Sequence, residues 1–164
     1  MSTLAPPLPA LRVGARTRRA VLTLHIVSGV GLLGDVAAIL AINVRAATTE
    51  DPQLAAAAYE LLTMFPILFG IPLSLTSLGT GLVLGLGSKW GVFRYRWVTA
   101  KLLLNLSVIL VGAFLIGPTT AALADGRDAS EGVLIAASAY DVVALLLATG
   151  LSVFKPGKRR RPAR

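Results

Sequence analysis

The sequence contains no cysteine and only one histidine, and each shortage removes a class of chemistry. Without cysteine the chain cannot form a disulfide, a thiolate metal centre, a redox C-x-x-C motif or a cysteine nucleophile. The single histidine, His25, leaves little room for a zinc, copper or haem site built from this chain alone. We therefore predict no metal site and no cofactor.

Charged residues are also scarce. They make up 15% of the 164 residues, and 55% of the chain is apolar, whereas about 25% of a typical soluble protein is charged. The apolar residues fall into four blocks, each longer than the roughly 18 residues that indicate a transmembrane helix. These features predict an all-α polytopic membrane protein, with four transmembrane helices in a compact bundle. The predicted spans are residues 20–44, 59–87, 97–117 and 133–154.

The spans define one membrane domain over residues 20–154, and the two flanking segments are basic. Residues 1–19 are rich in proline and then in arginine, and we predict a disordered basic segment there. Residues 155–164 are predicted to form a disordered basic tail. The first apolar block is too long for the core of a cleaved signal peptide, so it is expected to remain as a span.

Proline and glycine mark the expected irregularities within the membrane domain. Pro66 and Pro72 lie inside the second predicted span and should kink it, because each removes a backbone hydrogen-bond donor. Gly117 and Pro118 are expected to end the third span. Asp51, followed by proline, is a helix breaker or a helix start signal.

The placement of charge predicts the orientation in the membrane. If both termini are cytoplasmic, 14 of the 16 lysines and arginines lie on the cytoplasmic side, and only Arg45 and Arg127 lie outside. This split follows the positive-inside rule. We therefore expect a multi-pass protein of the cell (inner) membrane whose basic cytoplasmic face contacts anionic lipid. Basic runs beside membrane spans do not indicate nucleic-acid binding.

Small residues at helical spacing predict close packing of helices. Gly29, Gly31 and Gly34 match the pattern G-x-G-x-x-G, but they lie within an apolar run rather than at a strand-to-helix turn, so a dinucleotide site is not expected. Ser77, Gly81 and Gly85 form a ridge of small residues in the second span. That ridge could pack within the chain, or support a homo-oligomer or contact with a partner membrane subunit.

Aromatic and basic residues alternate before the third span. Trp90 and Trp97 could lie in the headgroup layer while Arg94 and Arg96 reach lipid phosphates. The pattern is typical of an interfacial anchor. A specific site for an anionic headgroup or ligand is the alternative.

Three segments together resemble a known family. They are the run PLSLTSLGTG at residues 72–81, the run WGVFRYRWV at 90–98 followed by Lys101, and Leu24-His25. They are similar to a group of small actinobacterial integral membrane proteins classed as a domain of unknown function, over roughly residues 20–117. The resemblance implies a four-helix inner-membrane protein and no established activity. Relatives often carry histidine where this chain has Tyr95, which weakens the idea of a paired-histidine metal or haem site.

Ionisable residues within spans are the best functional pointers, because each is costly to place in lipid. His25 and Lys101 both lie in the cytoplasmic third of their spans, and Asn105 is one turn beyond Lys101. Lys101 could simply extend its amine to the interface. His25 could be a hydrogen-bonded packing residue, a proton relay, a ligand contact, or a haem or copper ligand.

Asp35 and Asp141 are the two acids within spans. Counted from the ends of the predicted spans, each lies roughly 12–14 Å below the outer boundary, on a stripe of small residues. Equal depth predicts a carboxyl pair in one layer of the bundle, and two ionised carboxylates could not stay together there. The pair could hold a proton or pair with a cationic ligand; alternatively, both acids are hydrogen-bonded packing residues.

These observations favour a non-enzymatic role as a small transporter, a permease-like protein or an accessory subunit with an intramembrane carboxyl pair. One alternative is a membrane-embedded enzyme that uses Asp35 and Asp141 as acid and base. A second is a haem-binding redox subunit with His25 as ligand. A third is a structural or lipid-organising protein.

Overall fold

The structure is a computed structural model that describes residues 14–87 and 95–154. The regular secondary structure in these ranges is helical, and four helical stretches are long and apolar enough to cross a membrane. The predicted fold class, an all-α membrane protein with four spans, is therefore confirmed. The four stretches are Ala15–Ala47, Pro52–Leu86, Arg96–Ala124 and Glu131–Phe154.

Two of the four spans each contain one π-helical segment between two α-helices. Span 1 is one helix and span 4 is one helix, whereas spans 2 and 3 each consist of two α-helices joined through a π-helical turn. In chain order the elements are α1 (Ala15–Ala47), α2 (Pro52–Leu62), the first π segment (Pro66–Gly70), α3 (Ile71–Leu86), α4 (Arg96–Val111), the second π segment (Gly112–Ile116), α5 (Gly117–Ala124) and α6 (Glu131–Phe154).

The helices extend beyond the predicted spans at several ends. α1 begins at Ala15 rather than at residue 20, so the last residues of the segment predicted to be disordered are helical. Span 2 begins at Pro52 rather than at residue 59. Hydrophobicity marks only the lipid-buried part of a helix, whereas arginine and alanine continue a helix into the polar boundary because both have high helix propensity. Residues 1–13 and 155–164 lie outside the described ranges.

The start of α2 follows from Asp51. Its Oδ1 accepts hydrogen bonds from the backbone amides of Gln53 at 2.9 Å and Leu54 at 3.4 Å, and Pro52 occupies the first turn. An aspartate cap followed by proline is a strong helix start, because the cap satisfies amides that have no partner within the helix. The start signal in the sequence is therefore a real helix boundary.

Both π segments end two residues before a proline. The first π segment precedes Pro72, and the second precedes Pro118. A π turn holds one extra residue and widens the helix, which makes room for a proline ring that would otherwise clash with a carbonyl of the preceding turn. The prediction that Gly117 and Pro118 end span 3 is therefore wrong, since the chain continues as α5 to Ala124.

α1 runs antiparallel to span 2 and to α6. His25 lies opposite Ser77, Gly31 opposite Leu73, and Asp35 opposite Gly70. Adjacent spans therefore alternate in direction, and both ends of the bundle can be named by charge. The basic end is where α1 begins and α6 ends, and the acidic end is where α1 ends and α6 begins.

The bundle carries its large apolar side chains on the outside. Phe154 is 83% exposed, and Ile67 and Phe114 are each 73% exposed. Apolar patches of this extent are unusual on proteins surrounded by water, whereas lipid solvates them. The interior, in contrast, holds a set of buried polar side chains, and these form the candidate site.

Candidate functional site

The buried face of α1 carries a polar residue at intervals of seven or eight residues. Ser28, Asp35 and Asn43 are 2%, 8% and 1% exposed. They lie on one face of α1 with apolar residues between them, because positions three, four and seven apart share a helix face. From His25 to Asn43 this face extends roughly 27 Å along the axis, close to the thickness of a hydrocarbon core.

His25 is the most fully bonded group near the basic end. Its Nδ1 lies 3.0 Å from the carbonyl oxygen of Ser77 and 3.0 Å from Oγ1 of Thr80. The Ser77 carbonyl can only accept, and the Thr80 hydroxyl donates to the carbonyl of Thr76 at 2.6 Å. Nδ1 must therefore carry the hydrogen, which leaves Nε2 of the neutral ring free to accept a proton.

Lys101 and Asn105 lie near His25, as predicted from their depth in α4. Lys101 is half-buried, and its ammonium group is close enough to interact electrostatically with the His25 ring. Nδ2 of Asn105 makes a long contact of 3.5 Å with the hydroxyl of Ser77. These residues join α1, α3 and α4 into one polar cluster, which we call the basic-end cluster: His25, Ser77, Thr80, Lys101 and Asn105.

Asp35 lies beyond this cluster and faces the first π segment of span 2. Its Oδ2 would be 3.6 Å from a Cβ built on Gly70, the last residue of the first π segment. Neither carboxyl oxygen has a hydrogen-bond partner. A separation of 3.6 Å is an ordinary van der Waals distance, so Asp35 is packed against the backbone of span 2 at Gly70.

Asp141 and Asn43 belong to a second cluster nearer the acidic end. Nδ2 of Asn43 donates to the hydroxyl of Ser138 at 3.1 Å, and that hydroxyl donates to the carbonyl of Leu134 at 2.8 Å. Asp141 is one helical turn from Ser138 on the same face of α6, and both are 1% exposed or less. We call Asn43, Ser138 and Asp141 the acidic-end cluster.

Asp35 and Asp141 are not at the same depth. The Asn43–Ser138 hydrogen bond fixes the register of α1 against α6, and it places Asp141 roughly level with residue 40, about 8 Å along the axis from Asp35. Side chains tilt toward the N-terminus of their own helix, so Asp35 leans toward the basic end and Asp141 toward the acidic end. The carboxyl pair expected from counting residues is thus two separate acids, because the helix ends are not level.

Apolar side chains fill the interval between the two acids. Val36, Ala144 and Leu145 are 4%, 2% and 6% exposed and pack together with Leu32 and Val108. The register of α1 against α6 places Val36, Ala144 and Leu145 between the levels of Asp35 and Asp141. We call these three residues the apolar layer. It separates the polar interior into two halves, one with Asp35 and the other with Asp141.

The unpartnered atoms of the interior have a common chemistry. Among the described residues, five buried side-chain atoms have no hydrogen-bond partner, and all five are oxygens: Oδ1 and Oδ2 of Asp35 and Oδ1 of Asn43, Asn105 and Asp141. Unpartnered buried polar atoms are costly, so each needs an explanation. Since oxygens of these types accept hydrogen bonds or coordinate cations, each of the five could take a hydrogen-bond donor or a cation as its partner.

The polar groups together form an interior column along the bundle axis. At the acidic end it finishes with the Tyr59 hydroxyl, which donates to Oε1 of Glu131 at 3.1 Å. Two apolar intervals interrupt the column: the apolar layer, and the seven residues of α6 between Ser138 and Glu131, roughly 10 Å along the axis. From the basic end, the column consists of the basic-end cluster, Ser28, Ser74, Asp35, the acidic-end cluster, and Tyr59 with Glu131.

The predicted packing residues differ in their surroundings. A Cβ at Gly31 would lie 3.3 Å from Leu73, and one at Gly81 would lie 3.1 Å from His25, so both glycines allow close contact between α1 and α3. Gly29 and Gly34 have nothing within 4 Å of such an atom, so close approach does not explain them. In the ridge of small residues, Ser77 and Gly85 are buried.

The aromatic and basic segment is only partly described. Trp90 and Arg94 lie outside the described residues. Arg96, exposed, and Trp97, half-buried, begin α4 at the basic end of the bundle.

The column includes residues that the sequence analysis missed, above all Asn43 and Ser138. A signal for Asn43 was present, since it is eight residues beyond Asp35 on the same helix face. The small residues of α1 do not indicate Asn43, because they mark only part of the buried face. Ser138 gives no signal alone, because serine is common at helix–helix contacts in membranes.

Comparison with known proteins identifies a family. A family model described as a predicted integral membrane protein (DUF2269) matches residues 19–156. No curated protein and no solved structure is detectably similar to the chain.

Proposed function

Because the chain belongs to the DUF2269 family of predicted integral membrane proteins, whose function is unknown, we propose a function from the column itself. The protein acts without enzymatic chemistry as a small transporter, or as the membrane subunit of one. It passes a proton or a small monovalent cation along the bundle axis. Asp35 and Asp141 each hold the ion in turn, one on each side of the apolar layer, and we call these two ion-binding positions stations.

The observation that supports this proposal most strongly is the set of five unpartnered buried oxygens. A packing role would favour saturated hydrogen bonds, since an unpartnered buried acceptor lowers stability. A passing proton or cation gives these oxygens a transient partner. Ionisable residues inside membrane spans commonly mark proton and ion pathways.

The apolar layer gives the pathway a barrier. An uninterrupted polar file would let ions leak, whereas an apolar constriction opposes passage until it is hydrated or its helices move. One acid on each side would hold an ion before and after that step. A neutral His25 with a free Nε2 could exchange protons with the basic end.

The enzyme alternative is weakened by the same geometry. An acid and base pair needs both carboxyls near one reacting group, whereas Asp35 and Asp141 are about 8 Å apart along the axis and lean in opposite directions. The haem alternative is neither favoured nor weakened by the geometry of His25, because a ring whose Nδ1 is held by Ser77 and Thr80 is found in metal-ligating and packing histidines alike. No second function is favoured by a specific observation.

We further propose that the basic end faces the cytoplasm of a cell whose inner membrane the protein crosses four times. Among the described residues, Arg16, Arg18 and Arg19 lie at the start of α1 and Arg96 at the start of α4. This concentration follows the positive-inside rule and attracts anionic lipid. Self-association or a partner subunit would be compatible with a pathway inside a single bundle.

The proposal is tested by ion flux into proteoliposomes that carry a trapped pH dye, with isotopic sodium as a second readout. We expect flux above that of protein-free vesicles and at least a roughly tenfold loss in Asp35→Asn or Asp141→Asn, because each removes a station that the ion needs. Asp51→Asn is the control, since asparagine also caps a helix. Wild-type flux equal to that of empty vesicles, or unchanged flux in both variants, would contradict the proposal.

A further inference from the structure

We infer that Asn43, Ser138 and Asp141 form a binding site for a small monovalent cation of the sodium class between α1 and α6. This inference deepens the proposed function, on which it rests, by naming an ion and a station. It concerns the acidic-end cluster alone and makes no use of the basic-end cluster.

The hydrogen bonds of the cluster fix the orientation of the Asn43 amide. The Ser138 hydroxyl uses its hydrogen on the carbonyl of Leu134, so it can only accept from Asn43. The NH2 group of Asn43 must therefore face Ser138, and Oδ1 must point away from it. That oxygen is buried and has no partner.

Asp141 supplies the second unpartnered oxygen, Oδ1. Its level lies roughly 4–5 Å from that of Asn43 along the axis, on the side of the basic end. The side chain of Asp141 leans toward the acidic end and that of Asn43 toward the basic end, because α1 and α6 are antiparallel. The two free oxygens therefore lean toward each other, into the space between the Asn43 amide and the Asp141 carboxyl, on the basic-end side of Ser138.

The chemistry of this space fits a hard cation of single charge. Its ligands are oxygens, which sodium and lithium prefer and softer metals do not. One carboxylate neutralises one positive charge, whereas a divalent ion would leave a net charge buried in the membrane. Among the described residues, no group of three or more histidine, aspartate or glutamate side chains could hold a metal ion. All three residues are at least 99% buried, and a carboxylate attracts a smaller cation more strongly because the two charges come closer, so sodium is favoured over potassium.

The inference is tested by thermal unfolding of the purified protein in detergent at fixed pH and ionic strength. Sodium chloride, relative to choline chloride, should raise the melting temperature by roughly 4 °C once sodium is well above its dissociation constant. Potassium should raise it less. Asp141→Asn and Ser138→Ala should each lose the sodium-dependent rise.

Two control variants separate this site from other effects. Ser152→Ala removes a hydroxyl that bonds only to the carbonyl of Ala148 on its own helix, and it should keep the full shift. Thr149→Ala, which likewise removes a hydroxyl bonded to a carbonyl of its own helix, that of Leu145, should also keep it. Equal melting temperatures in sodium and choline, or a sodium shift that survives Asp141→Asn and Ser138→Ala, would overturn the inference. Ser138→Ala decides the matter if Asp141→Asn does not fold.

Failure of this site is distinguishable from failure of the proposed function. If low pH raises the melting temperature in choline chloride but sodium has no effect on it, the sodium site is wrong. Proton transport is then decided by the flux assay. A sodium shift that depends on Asp141, without any flux, would support the site and contradict transport.

Discussion

At the scale of single residues, the interior contacts are close enough for one methyl group to matter. Gly81 packs directly against the His25 ring, and a Cβ there would lie 3.1 Å from Cε1. The ring has little freedom to move away, because Nδ1 is held by the Ser77 carbonyl and the Thr80 hydroxyl. His25 is therefore positioned by α3 as much as by its own helix.

Gly81→Ala is expected to lower the free energy of unfolding by about 1 kcal/mol, because overpacking outweighs the gain in helix propensity. Gly79→Ala is the matched control on the same helix, with nothing within 4 Å of the added methyl, and it should be neutral or stabilising. Unfolding in mixed micelles, followed by circular dichroism, measures both. Equal stability of the two variants would show that the His25 contact is loose.

The role of the apolar layer as a barrier can be tested by replacing Val36 with threonine, a side chain of similar volume. Val36→Thr places a hydroxyl in the layer without changing its shape greatly, so hydration of the interval should become easier and ion flux should rise several-fold. Val143→Thr, at a position that is 54% exposed toward lipid, should leave the flux unchanged. Reduced or unchanged flux in Val36→Thr would mean that this layer is not the barrier.

At the scale of helices, the register of α1 against α6 decides what each buried acid meets. Asp35 faces Gly70 in span 2. Asp141 instead lies level with the part of α1 that is about one helical turn from Asn43, toward the basic end. Counting from the ends of apolar blocks cannot recover this offset, since it assumes that the ends are level. The two acids were predictable from the sequence because intramembrane carboxyls are rare, but their separation depends on contacts between helices.

Cysteine pairs test this register directly, because the chain has no cysteine of its own. Cysteines at positions 43 and 138 should be joined efficiently by a short bifunctional thiol reagent, since the Asn43 and Ser138 side chains are in hydrogen-bonding contact. Cysteines at positions 35 and 141 should react poorly, because they are about 8 Å apart along the axis and lean apart. Mass spectrometry of digested protein quantifies the products. Efficient coupling of the second pair would restore the idea of a carboxyl pair.

The π segments are the part of the helical structure that sequence patterns left undefined. Pro66 and Pro72 predicted an irregular second span, but a proline can be accommodated by a kink, a break or a π turn. Pro118 was expected to end a helix and instead follows a π segment that carries the chain onward. Local sequence indicates that the helix must adapt, whereas packing against neighbouring spans selects how.

At the scale of the whole molecule, apolar length and scarce charge were sufficient to predict four spans. That prediction succeeds because lipid imposes one dominant constraint on a spanning chain, namely internal backbone hydrogen bonding over a fixed thickness. The interior column was harder to predict. Its serines, threonines and asparagine are individually ordinary, and only the packing of four helices aligns them.

Orientation is tested by reporter fusions. Fusions after Gly87 and after Arg164 should report a cytoplasmic location, and fusions near Asp51 and Gly126 an external one, because the basic residues concentrate at one end. A phosphatase-active fusion after Arg164 would contradict cytoplasmic termini.

The most direct test of the central claim, that one column carries the ion through both acids, is the flux of the double variant Asp35→Asn/Asp141→Asn in proteoliposomes. Stations in series are each required, so the double variant should be no slower than either single variant. Equal flux in all three, at least about tenfold below wild type, is the predicted result. If each single variant keeps about half of the flux and only the double variant loses it, the two acids serve separate paths and the single column is wrong.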